Sequence, residues 1–341
     1  MPSDSASPQT HSVRPPAGKS RRLWLLAPYA VLVILGVVWS LAWLWMIGEA
    51  QRRMDGAASS LRTVGWTVAW DRRHVGGYPF RLDVDFTGLR IADPSGWALA
   101  TRSLKTEAYA FAPGNWVFYA PEGLTFSRPD GGPVNVTARA LRGSVGAMDE
   151  APPRISLEGD DLAFAAGPGA KPFSLAIARN LQAYTRAGPQ QQAALFASLD
   201  GGVARPDSLM GRIAGGQPVT MRLDGVISHT DRLSGESWRS LVQHWSANGG
   251  TFDVHQLTLS AGAVVLSANK GSLAVADNGQ VEGVLEATLR DQSRVMAVMQ
   301  DGHAPATDSG AHDPIAPLRL TFRDGGTWLG PLRLAPAPRA Y

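Results

Sequence analysis

Carboxylates and imidazoles are the groups with which this cysteine-free chain could run acid–base or metal chemistry. Asp83 and Asp85 stand two apart in RLDVDFTGLRIA (81–92). At a strand's period of two, both side chains leave one face, and like charges held together there raise a carboxyl pKa toward values useful for proton transfer. Interleaved with Arg81, the same residues also describe the wet face of an ordinary antiparallel strand, and that plainer reading is preferred. Asp160-Asp161 is the second acidic pair. Among the histidines, His229, His244 and His255 fall in one region. With Asp231 or Asp253 they would make a metal or triad site only if folding gathered them, because their spacing is not that of a ligand set. His244 is expected on the polar side of a helix and His255 on the exposed face of a strand. Specific signatures are missing. Ser144 in RGSVG lacks the nucleophile-elbow spacing, and GPGAKP (167–172) lacks the ending of a phosphate loop. No G-x-G-x-x-G follows a strand, and there is no H-E-x-x-H. The reading is therefore no catalytic residue, no cofactor and no metal.

The elements that would position such residues are mostly strands. In 81–92, Leu82, Val84 and Phe86 alternate with Arg81, Asp83 and Asp85, the pattern of a half-buried antiparallel strand. The texture recurs at 123–129, 133–141, 154–166, 217–228, 251–260, 263–276 and 280–290, and in a terminal strand pair within 317–338. Asp130-Gly131-Gly132, Asp277-Asn278-Gly279 and Asp324-Gly325-Gly326 supply turn residues that tolerate positive φ. The chain's 37 Gly and 24 Pro fit many turns and few long helices. Trp238, Leu241, Val242 and Trp245 form an amphipathic stripe, predicting a helix over 237–247 that stops at Asn248-Gly249-Gly250. Helices are also expected over 179–199, interrupted by Gly188-Pro189, over 206–214 and over 291–300. Residues 301–316 read as a polar loop. The fold class is thus mainly β with a few short helices, a β-rich α+β arrangement of extended, curved antiparallel sheets. Two lobes (66–170 and 217–339) would flank a helix-containing middle.

Ahead of this body, the 26 residues of 23–48 carry no charge. As a helix they exceed the ~30 Å hydrocarbon core of a bilayer. Trp24 and Tyr29 mark one end; Trp39, Trp43 and Trp45 crowd the other, and such aromatics favour headgroup depth. The run is longer than the apolar region of a cleaved signal and ends in bulky LAWLWMIG, so it reads as an uncleaved signal anchor. Arg14, Lys19, Arg21 and Arg22 precede it, and the positive-inside rule puts that side in the cytoplasm. The expected organisation is a disordered cytoplasmic tail (1–22), a single-pass transmembrane anchor (23–48), a stalk (49–65) and a periplasmic body (66–339) at a bacterial inner membrane.

Charge follows the same division. The chain has 32 Lys/Arg against 29 Asp/Glu, and setting aside the four basic tail residues and Asp4 leaves 28 of each. The sequence pI of 9.4 therefore comes from the tail. No basic surface remains to neutralise phosphates, which argues against nucleic acid as a partner.

One stretch carries a resemblance: Trp66-Thr67-Val68 through Arg72, then Gly76, Gly77, Tyr78, Pro79, Phe80, Arg81 and Leu82. An anchored N-terminus followed by this G-[YF]-P-F-R-L strand start resembles a bacterial family, domain of unknown function twenty-one twenty-five. Residues 249–289 and 320–339 look like that family too, and 249–289 is similar in texture to AsmA-like envelope proteins. The resemblance implies no catalytic residues. Gly77, Tyr78, Pro79, Phe80 and Arg81 form its structural signature, read physically as a corner that sets strand register. The expectation is a non-enzymatic, single-pass cell-envelope protein whose body binds or guides lipid or another apolar ligand. The alternative is a structural or assembly factor acting through envelope proteins. Cross-linking in membranes separates the two, and the most informative feature of the body is whether its apolar sheet face closes as a core or stays an open groove.

Overall fold

The computed structural model describes residues 21–301 and 315–341. Most of the predicted tail and most of the polar loop lie outside them, and Arg21 and Arg22, counted with the tail, are helical. The chain divides into two compact units, Met1–Glu49 and Ala50–Tyr341. Helix α1 (Arg21–Thr63) includes the charge-free segment and the predicted stalk as far as Thr63, with Pro28 inside it. It is long and apolar enough to cross a membrane.

The body is one antiparallel sheet. Strands β1 (Thr67–Ala69) and β2 (Arg72–Gly76) lie end to end along β3 (Arg81–Ala92), which pairs on its other side with β4 (Ala98–Tyr109). The ladder then splits. Against β4 lie both β5 (Ala112–Tyr119) and β6 (Leu124–Arg128). β6 passes to β7 (Gly132–Thr137) and β5 to β8 (Ala140–Gly146). The two tracks rejoin on β9 (Arg154–Ala166). The change of partner along β9 falls at Asp161, whose φ is 49°. On its other side β9 keeps register with β10 through this point, Asp160 opposite Asn180 and Leu162 opposite Ala178. The single strand expected over 133–141 is accordingly broken. Arg139, at the break between β7 and β8, reaches Asp161 at 2.8 Å and Asp160 at 3.7 Å.

From β9 onward each strand pairs with the next: β10 (Leu175–Gly188), β11 (Gln192–Ala204), β12 (Val219–Ile227), β13 (Phe252–Ala261), β14 (Val264–Val275), β15 (Val281–Arg290), β16 (Ala316–Arg323), β17 (Gly326–Leu329) and β18 (Leu332–Pro336). The helix expected over 179–199 is overturned, because β10 and β11 occupy that stretch. Its Ala, Leu, Arg and Gln residues have good helical propensity. Pairing with β9 and β12 on either side, and burial of Ala178, Ala193 and Leu199, outweigh it. Gly188-Pro189 does mark a break, but it is a hairpin turn in which Gln190 and Gln191 both have φ of 58°.

Three short helices cover parts of the sheet. In α2 (Leu209–Ala214), Ser208 caps the start and left-handed Gly215 the end. α3 (Trp238–Ala247) starts with a capping box from Ser237 and Ser240. α4 (Gln292–Asp301) is capped by buried Asp291, whose Oδ1 accepts from the Arg294 amide at 3.1 Å. Arg294 Nε also donates to the Ile213 carbonyl at 2.8 Å, joining α4 to the end of α2.

Contacts distant in sequence curl the sheet. Asp93, in the β3–β4 turn, accepts from the Trp238 amide at 2.5 Å. A carboxylate there completes the amide cap of α3 and complements the helix dipole. Trp238 Nε1 donates to the Ala340 carbonyl and Trp66 Nε1 to that of Glu236, both at 2.6 Å. Arg339 pairs with Asp130 of the β6–β7 turn at 3.0 Å.

Candidate functional site: two faces of one sheet

Register turns the alternation into two unbroken rows. One runs Val75, Val84, Thr106, Phe118, Gly143, Leu157, Ala183, Ala197, Leu223, Leu257, Ala268, Ala287 and Leu318, crossing from β2 to β16 by way of β5 and β8. The row one residue away runs His74, Asp85, Lys105, Tyr119, Arg142, Glu158, Gln182, Ser198, Arg222, Thr258, Ser267, Thr288 and Pro317. Successive residues of a strand point to opposite faces, so the sheet is greasy on one side and wet on the other. The one polar side chain in the first row, Thr106, is satisfied by donating to the Val84 carbonyl at 3.0 Å.

The apolar face is sealed at some places and open at others. Val84 is fully buried, and Ala268 and Ala287 are buried in the cluster that α4 joins through Val295 and Met299. α2 packs Met210, Ile213 and Ala214 with Leu199, Val219 and Ala261. On β9, by contrast, Leu157 and Ile155 are each 41% exposed. Ile155 lies across from Val145 and Thr185, and Leu157 across from Gly143 and Ala183. Small or short neighbours on both sides leave a shallow apolar strip near the start of β9. The sequence pattern shows which side of 154–166 is apolar. It does not show that α2 and α4 stop short of this strip, because that depends on where distant helices land.

The other face is a lattice of charge. Arg81 pairs with Asp83 at 2.9 Å and Glu107 at 3.3 Å, and Arg142 with Glu158 at 3.4 Å. A groove of about 400 Å³ runs among Arg81, Asp83, Asp85, Lys105, Tyr119 and Arg142. A larger one, about 770 Å³, crosses β13 to β16 over Thr258, Ser267, Glu286, Thr288 and Arg319. Tyr184 donates to Glu158 at 2.9 Å. Burial first, and then that hydrogen bond, push its phenol above the ordinary tyrosine value.

The candidate acids and histidines sit apart. Asp83 is held by Arg81, and Asp85 faces Lys105 across the ladder. Asp160 receives Asn180 at 3.0 Å, while Asp161 is held by Arg139. The hydrogen bond to Asp161 raises Arg139 further above its usual range. His229 meets Ser228 at 3.0 Å, His244 meets Ser234 at 2.7 Å, and His255 lies 3.8 Å from Asp224. Each imidazole has its own neighbour, so the structure does not bring the three together. Among the described residues no group of three His, Asp or Glu forms a cluster able to hold a metal ion.

The signature residues form the β2–β3 turn. Gly77 has φ of 98°, its carbonyl accepts from the Arg81 amide at 2.8 Å, and the Tyr78–Pro79 bond is cis. Phe80's carbonyl accepts from the Ala110 amide at 2.9 Å, tying this turn to the β4–β5 turn. There Tyr109 and Phe111 stack with centroids 5.1 Å apart. Four large aromatics, Tyr78, Phe80, Tyr109 and Phe111, are thus exposed side by side at one end of the sheet. The second pair was not singled out from sequence, although Tyr109 and Phe111 immediately precede the turn-prone APGN (112–115).

With fold and faces described, the comparison with known families is direct. Residues 43–338 match the family described as "Uncharacterized protein conserved in bacteria (DUF2125)". The chain belongs to that family. No curated protein and no solved structure matches it. The DUF2125 match takes in the end of the apolar segment, the aromatic turn and nearly the whole sheet.

Proposed function

We propose that this DUF2125 protein is a non-enzymatic, single-pass protein of the bacterial inner membrane whose periplasmic body binds or guides lipid acyl chains along the apolar row. The observation that carries this reading is the strip at Ile155 and Leu157. An apolar row running from β2 to β16 is sealed at Val84, Ala268 and Ala287 and left partly open on β9. Burying such a side chain fully contributes roughly 1.5–3 kcal/mol, so a strip left open forgoes stability that an acyl chain would recover on binding. A chain anchored by an apolar helix has lipid within reach of its body. The basic residues before the charge-free segment support a cytoplasmic N-terminus.

The test is site-specific photocrosslinking in cells, with a benzophenone amino acid at position 157 and, on the polar face, at 158. Lipid adducts at 157 and none at 158 are expected. Protein adducts at 157 in place of lipid would favour the assembly-factor reading, and no adduct from a folded chain would overturn lipid binding.

A further inference from the structure

We infer that the aromatic end of the sheet docks onto the headgroup layer of the bilayer that the chain's own helix enters. Tyrosine favours that depth through its hydroxyl tip, and phenylalanine buries its ring at the headgroup–acyl boundary beside it. Tyr78, Phe80, Tyr109 and Phe111 are 56%, 61%, 57% and 73% exposed, and two hairpin turns hold them together through the Phe80–Ala110 hydrogen bond.

The occupant is argued from where the chain enters the body. Arg62 donates to the Val68 carbonyl at 2.9 Å, and Asp55 pairs with Arg73 at 2.7 Å. Moving back along the helix from Arg62 to Asp55 is therefore moving the same way as from Val68 to Arg73. β1 and β2 run along β3 toward Asp83 and the aromatic turn. Strand rise carries Gly77 about 13 Å past Arg73. Helix rise carries Ala50 about 7 Å past Asp55. The aromatic turn thus lies on the side of the body at which the chain enters it, and reaches at least as far that way as Ala50. Trp70, between Arg62 and Arg73 at 5.6 and 5.3 Å, stiffens this junction by cation–π contact. The start of β9 lies at the same end, because β5 begins beside the end of β8. Docking would turn the Ile155 strip toward the lipid, but it does not depend on that strip binding anything.

The absence of cysteine makes the experiment direct. The full chain is reconstituted in vesicles of phosphatidylethanolamine and phosphatidylglycerol with an environment-sensitive fluorophore at Gly114→Cys. An added side chain there meets nothing within 4 Å, and the four aromatics stay in place. Lys171→Cys, at the opposite end of the strands, is the reference. Nitroxides on lipid headgroups are expected to quench the Gly114 label several-fold more than the Lys171 label, and replacing the four aromatics by serine to remove that difference. Equal quenching at the two sites overturns the proposal. So does a Gly114 label shielded from water yet untouched by lipid nitroxides, which would mean that protein covers this end.

Discussion

A methyl group added at Gly77 would stand 2.6 Å from the backbone oxygen of Arg81, with φ at 98°. Backbone blocks it, so no side chain can yield to relieve the clash. Gly77→Ala is expected to cost at least about 2 kcal/mol, read as a lower urea midpoint with an unchanged slope. Gly114→Ala, in open space, is the matched control and should leave the midpoint nearly unchanged. At this scale the sequence was partly legible. Gly76-Gly77 and Pro79 signalled a turn, because backbone freedom and fixed φ are local properties. That Tyr109 and Phe111 stand beside Tyr78 and Phe80 was not legible, because it follows from the pairing of β3 with β4.

Elements here are held by their ends. Asp93 belongs to a hairpin turn yet serves the first amide of α3, more than a hundred residues on in the chain, and is buried there. Asp93→Ala would leave the Trp238 and Ser95 amides without that acceptor. We expect a loss of about 1–3 kcal/mol in thermal or urea unfolding. Strands such as 81–92 and 154–166 could be read from period-two alternation to their final residue, since one wet face imposes the pattern. β10 and β11 could not. Ala-rich stretches such as AIARNLQAY carry little contrast between faces, so propensity speaks for helix while neighbouring strands decide for sheet. The break at Arg139 was hidden for a similar reason, as it reflects a change of partner on β9 and leaves no mark in composition.

Across the whole molecule, the distinction that matters is between sealed and open parts of one apolar row. Ala268→Lys would place a charge where the neighbours are Leu257, Ala287 and helix α4, so loss of soluble, cooperative folding is expected. Leu157→Lys should fold, with less than about 1 kcal/mol of change, because its ammonium can reach water. Comparing their melting curves checks the assignment of the β9 strip as open independently of any ligand.

The ladder also has a consequence in time. From β9 on, every strand finds its partner in the next stretch of chain to emerge, so loop closure is cheap and pairing can follow synthesis or export without waiting. The Asp93–Trp238, Trp238–Ala340 and Arg339–Asp130 contacts obey a different clock. They join residues far apart in the chain, and the last two require residues 339–340. From β9 on, the body can therefore be laid down one hairpin after another, while the contacts of Trp238 and Asp130 close only when residues 339–340 arrive.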